Sequence, residues 1–145
     1  MKRINGWEGR LADYLDERRE MLFAWGTHDC CRFACAGLVA QGLPDPMAGV
    51  RAYKTPRGAA AAIKRLGGTL DDAATTLATM AGLHEVAPAF AGRGCVVLAD
   101  IETPTGEIEP ALGLVNLDGT QALFAGEGGL VWRRIEDCRR AWQFN

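Results

Sequence analysis

Histidine is scarce: His28 and His84 are the only two among 145 residues. Chemistry that needs an imidazole base has just those two side chains to draw on. No stretch approaches the roughly eighteen uninterrupted apolar residues of a membrane span. Neither charge dominates, with 16 Lys and Arg against 18 Asp and Glu and a formal net charge of -2. That balance argues against nucleic acid or a membrane surface as partner. Residues 1–10 lack an apolar core segment, so no secretory leader is expected. The five cysteines are an odd number, and Cys30, Cys31 and Cys35 are too crowded on one segment to pair with each other. A reduced compartment follows, the cytoplasm in which the chain is made. Repeats, linkers and low-complexity tracts are also missing, and the length fits one domain spanning 1–145.

What the chain does have is organised around Phe23-Ala24-Trp25-Gly26-Thr27-His28-Asp29-Cys30-Cys31-Arg32-Phe33. An aromatic run ends at a glycine, a polar turn follows, and an apolar segment begins. This reads as a loop feeding a buried helix over 29–41, capped by Asp29 or Thr27. Cys30 then lies in the first helical turn, where unpaired N–H groups and the helix dipole favour a thiolate. The neighbouring Asp29 carboxylate opposes that shift. Two alternatives stand beside a nucleophile. Cys30, Cys31 and Cys35 can be small hydrophobes packing a core helix. With His28 they can also form one face of a metal site, which needs Cys95 or Cys138 to complete it.

Around this stretch the periodicity gives an amphipathic helix over 6–20, from Trp7, Leu11, Tyr14 and Leu15. Thr55-Pro56 starts an alanine-rich helix that Gly67-Gly68 stops. Thr69 or Asp71 caps a short helix through Met80, and 81–90 reads as a connection. After Gly92 the period changes to that of strands: 94–101, 110–117, 120–125 and 130–135, with Asp118-Gly119 as a hairpin turn and 141–144 as a last edge strand. Helices over 1–90 precede strands over 91–145. Segregated order of this kind predicts an α+β fold, its helices packed on one face of an antiparallel sheet of about five strands. The four tryptophans are expected to wall the core with their ring N–H groups at the surface, or else to line a glycan groove. Arg133-Arg134 and Arg139-Arg140 read as solvated edges. Gly126-Glu127-Gly128-Gly129 reads as a turn and not as a phosphate loop.

Asp29-Cys30 followed by Phe33 resembles the Asp-Cys-x-x-Phe signature of the NlpC-like cell-wall cysteine peptidases, whose fold is papain-like. The fuller string is similar to a phage-encoded branch of that superfamily associated with tail modules. It comprises Phe23-x-Trp25-Gly26-x-x-Asp29-Cys30, Tyr53 with Thr55, Gly94-x-Val96-Val97-Leu98, Leu112-Gly113, Gly128-Gly129-Leu130 and Ala141-Trp142. The resemblance implies Cys30 as a nucleophile toward peptidoglycan stem peptides, Asp29 as its motif partner, and a histidine at the start of the second core strand as base. This chain departs from that pattern. Cys95 stands where the peptidases carry aspartate, and Ala111 stands where they carry the histidine. His84 is the remaining candidate base, within reach of Cys30 only if the 81–90 connection folds over the helix terminus. His28, on the same turn as Cys30, is expected to face solvent or make a local hydrogen bond.

Two functions are therefore expected from the resemblance. The preferred one is a degenerate NlpC-like domain acting structurally or in assembly of a phage or prophage tail, with tail-tip or baseplate proteins as partners. The alternative is a working cysteine peptidase or amidase on peptidoglycan with a relocated base. Neither calls for a cofactor or a metal. The first places the chain in the host cytoplasm on synthesis and then in the virion tail.

Overall fold

The computed structural model describes residues 2–145. Four helices come first: α1 (Trp7–Arg18), α2 (Cys30–Ala40), α3 (Pro56–Leu66) and α4 (Leu70–Met80). Six strands follow: β1 (Leu83–Val86), β2 (Val96–Glu102), β3 (Ile108–Val115), β4 (Gln121–Gly126), β5 (Gly129–Arg134) and β6 (Arg140–Phe144). Every pairing is antiparallel, in the order β1-β6-β2-β3-β4-β5. The fold is α+β, with the helices packed against one antiparallel sheet.

Local chemistry accounts for the helix starts. Asp29 caps α2 by accepting from the Arg32 N–H, Thr55 caps α3 ahead of Pro56, and Thr69 caps α4 by accepting from the Asp72 N–H. Each cap satisfies a donor that has no intrahelical partner. The main core lies between helices and sheet, where Leu11, Phe33, Leu38, Leu77, Leu98 and Leu114 are buried. Gly37 marks the closest approach: a Cβ there would run into the Leu114 side chain, so α2 rests directly on β3. The other face of the sheet carries a smaller core with Val97, Ala99, Val115, Phe124 and Ala141. Two single-turn helices, Pro88–Phe90 and Ile135–Asp137, lie on that side.

Several expectations need correction. The 81–90 connection contains β1, so the sheet begins inside the part read as helical and has six strands. Four residues with a single buried position, Leu83, are too short for a period-two signal. The last strand is not an edge: β6 lies between β1 and β2, and its Trp142 and Ala141 are fully buried. Arg139 and Arg140 are not free edge charges. They bind Asp71 on α4 together with Asp100 and Glu85, tying helix to sheet. Among the tryptophans, Trp142 keeps its ring N–H inside without a partner, while Trp132 stands largely exposed on β5.

Candidate functional site

The loop before α2 is shaped by Gly26 and Asp29 together. Gly26 has φ 80°, and a side chain there would collide with the Tyr53 carbonyl. Its N–H donates to Asp29 Oδ2 at 2.8 Å, while Oδ1 accepts from the Arg32 N–H at 2.9 Å. The Tyr53 hydroxyl completes the set with a 2.7 Å bond to Oδ2. Asp29 is 2% exposed and accepts three hydrogen bonds, the arrangement that lets a carboxylate remain buried. Its work is to hold the loop, the helix start and the Tyr53 segment in one piece.

Cys30 opens α2 as a half-buried thiol. Its pKa lies below that of an ordinary thiol. The largest cause is the Cys31 thiol acting as donor; the Leu112 N–H adds to it, against burial and the Asp29 charge, which push the other way. Cys31 is pushed far up as the other half of this exchange, and burial pushes up Cys35 and Cys95 as well. Burial also takes Cys138 up to about 11. Of the five thiols, Cys30 alone is shifted toward the thiolate.

The Leu112 N–H is free to face Cys30 because β4 leaves β3 early. The β3–β4 pairing covers only Gly113–Val115 and ends at the Leu112 carbonyl, so the segment from Ile108 to Ala111 has a partner on the β2 side alone. Ala111, where the resemblance expects a base, directly precedes Leu112. Ala111 packs with the core on the other face of the sheet, while Leu112 joins the helix-side core against which Cys30 packs, so that position points away from the thiol and holds only a methyl group.

Neither histidine fills the gap. His84 lies on β1, at the outer edge of the sheet and three inter-strand spacings from β3, roughly 14 Å of backbone. It alternates with Leu83, which faces the helices, so His84 points from the opposite face of the sheet to Cys30. Burial of the sheet between them removes the route proposed through the 81–90 connection. His28 is not at the surface either. It is fully buried, its Nδ1 lies 2.9 Å from Arg18 Nη1, and its ring meets Phe33 edge-on. Arg18 has only protons to offer, so Nδ1 is the acceptor and Nε2 carries the hydrogen. Burial and the Arg18 charge both lower its pKa. Tyr53 cannot substitute, since burial and its bond to Asp29 push the hydroxyl pKa up.

The metal reading finds no convergence. Cys31 and Cys35 are in the helix-side core, Cys95 and Cys138 are in the core of the other face, and His28 is committed to Arg18. Among the described residues no three His, Cys, Asp or Glu side chains are grouped to hold an ion. Two clefts are not lined by Cys30. One of about 540 Å³ follows β5 from Leu130 to Arg134, and one of about 260 Å³ sits among Arg51, Tyr53, Lys54 and Arg65.

Sequence reasoning did not assign Tyr53 its role, although Tyr53 and Thr55 stood in the motif string. A tyrosine two residues ahead of a helix cap, with a buried carboxylate elsewhere in need of donors, was the available signal. The Leu112 N–H left no trace in the sequence, because where β4 parts from β3 is a matter of register.

A family model described as Domain of unknown function (DUF6950) matches residues 2–144, and the chain belongs to that family. No curated protein and no solved structure matches it.

Proposed function

We propose that this member of the DUF6950 family is a catalytically degenerate NlpC-like domain that serves as a structural or assembly component of a phage or prophage tail. One observation carries the reading. Cys30 opens a helix with a lowered pKa, as a papain-like nucleophile would, yet among the described residues no imidazole and no free carboxylate stands beside it to carry a proton to a leaving group, and the Cys31 thiol that donates to it is itself held far up. Ala111 is inert and faces the other side of the sheet, His84 is across the sheet, His28 is locked to Arg18, and the carboxylate of Asp29 is spent on three donors. Amide cleavage requires protonation of the leaving amine, and a thiolate alone does not supply it. What remains of the peptidase is its framework. The tail context comes from the resemblance in sequence.

The second reading, a working peptidase or amidase on peptidoglycan stem peptides, has the lowered pKa of Cys30 in its favour. The two part experimentally. The purified chain is incubated with peptidoglycan while, in parallel, a tagged copy is expressed with tail-tip and baseplate proteins and recovered by affinity. The structural reading expects a stable complex that survives Cys30→Ala and no stem-peptide release. Release that is lost in Cys30→Ala establishes the peptidase and overturns the structural role.

A further inference from the structure

The hydrogen bonds of β3 fix which way its backbone points. Thr103 N–H donates to the Glu107 carbonyl at 2.7 Å, and Val115 N–H donates to the Cys95 carbonyl at 2.9 Å, so odd-numbered residues face β2. Asn116 N–H donates to the Gln121 carbonyl at 2.8 Å, so even-numbered residues face β4. Antiparallel strands alternate in this manner along their length. The Gly113–Phe124 pair uses the Leu112 carbonyl, and beyond it the Pro110 and Ile108 carbonyls and the Ile108 N–H point into space that β4 does not fill. Pro110 lacks an N–H on this open side only, which is where a sheet tolerates proline.

Parts of the other edges are covered. On β5, Leu130 N–H donates to the Arg19 carbonyl at 3.0 Å, and the Arg133 guanidinium covers the Trp132 carbonyl at 2.7 Å. On the far side of the β2–β3 hairpin, Arg139 donates from its backbone to Leu98 and from its side chain to Asp100. Proteins commonly blunt sheet edges with such contacts, because a bare edge pairs with whatever strand arrives. Among the described residues no such contact reaches the β3 edge at Ile108–Pro110. Ile108 is 71% exposed there, against the rule for a large apolar side chain beside unpaired backbone.

Charge says what would fit. Glu102, Glu107 and Glu109 stand on this hairpin, Asp100 being paired with Arg139, and no Lys or Arg occurs in the sequence between Arg93 and Arg133. We infer that the β3 edge from Ile108 to Pro110 is a docking site for an extended, basic segment of a partner protein, which adds as a strand where β4 stops. Backbone pairing supplies the affinity, Ile108 an apolar contact and the hairpin carboxylates the selection for lysine and arginine. The inference goes beyond the function proposed above, since the edge is open whether or not Cys30 turns over substrate.

The test uses the full chain and a synthetic octapeptide of alternating valine and lysine as probe. Its controls are the valine–glutamate counterpart and a fully N-methylated valine–lysine peptide, which keeps the charge but cannot donate backbone hydrogen bonds. Binding is followed by fluorescence anisotropy and by amide hydrogen exchange at Ile108. The expected result is binding of the lysine peptide alone, slowed exchange at Ile108, slower alkylation of Cys30, and affinity about tenfold weaker in Glu107→Lys/Glu109→Lys. Failure of the lysine peptide to bind overturns the inference. So does equal binding of the N-methylated peptide, which would mean charge attraction without strand addition, or binding that leaves Ile108 exchange unchanged.

Discussion

The Tyr53 hydroxyl donates to Asp29 Oδ2 at 2.7 Å, joining the segment ahead of α3 to the cap of α2 across 24 residues. Hydrogen bonds to a charged acceptor contribute about 1.5–3 kcal/mol, so Tyr53→Phe is expected to lower stability by about that amount in urea unfolding. Asp29→Ala is expected to cost more, because it orphans the Gly26 and Arg32 N–H groups as well as the hydroxyl. Equal losses in the two variants would mean that the Tyr53 bond alone carries the stabilisation and that the bonds from Gly26 and Arg32 add nothing.

His28 gives the fold a pH dependence of definite sign. Its folded pKa lies below 6.5, so between that value and 6.5 the unfolded chain binds more protons than the folded one. Stability is therefore complete above about pH 6.5 and falls as the pH drops toward the folded value. Unfolding free energies at pH 7 and pH 5.5 should differ in the wild type, and the difference should shrink in His28→Gln. The carboxylates of Asp71 and Glu85 have lowered pKa values too, but they act below their ordinary ranges near pH 4 and leave this window to His28.

Arg140 binds Glu85 at 2.7 Å and Asp71 at 3.3 Å, linking α4, β1 and β6. These groups remain partly exposed, so the network is screened and its contribution is modest. Arg140→Met, which keeps most of the stem, should lower stability by about 1 kcal/mol or less at low salt, and the difference from wild type should narrow at 1 M NaCl.

Gly37→Ala tests the contact of α2 with β3. Alanine is the better helix former, so an exposed position would gain stability from the change. Here the new methyl meets the Leu114 side chain, and overpacking of this kind costs about 1–3 kcal/mol. A lower thermal midpoint is the expected outcome; a higher one would mean that α2 can shift away from the sheet.

The elements with strong local signals were legible in the sequence. Thr55-Pro56 and Gly67-Gly68 bracket α3 as their backbone chemistry demands, and the apolar spacing of Leu11, Tyr14 and Leu15 marks the buried side of α1. The change of period after Gly92 revealed the segregated α+β order. Position within the sheet was not legible. Ala141-Trp142-Gln143-Phe144 alternates whether it lies at an edge or between two strands, and only the long-range pairing with Leu83–Val86 on one side and Val96–Leu98 on the other decides. The site divides in the same way. Asp29 and Cys30 could be found from the helix start, because capping is local. The burial of His28 on Arg18 and the retreat of β4 from Leu112 depend on elements far apart in the chain.

The most direct test of the account is the rate of Cys30 alkylation by iodoacetamide as a function of pH, with Cys30→Ala subtracting the other four thiols. A thiolate favoured by Cys31 and the Leu112 N–H, without an imidazole partner, gives one inflection below that of an ordinary thiol, and the same curve in His84→Ala. A cysteine–histidine pair gives two inflections, because imidazolium and thiol titrate in succession. A second inflection, or a reaction that slows in His84→Ala, would contradict the account by revealing the proton carrier that the fold keeps away from Cys30.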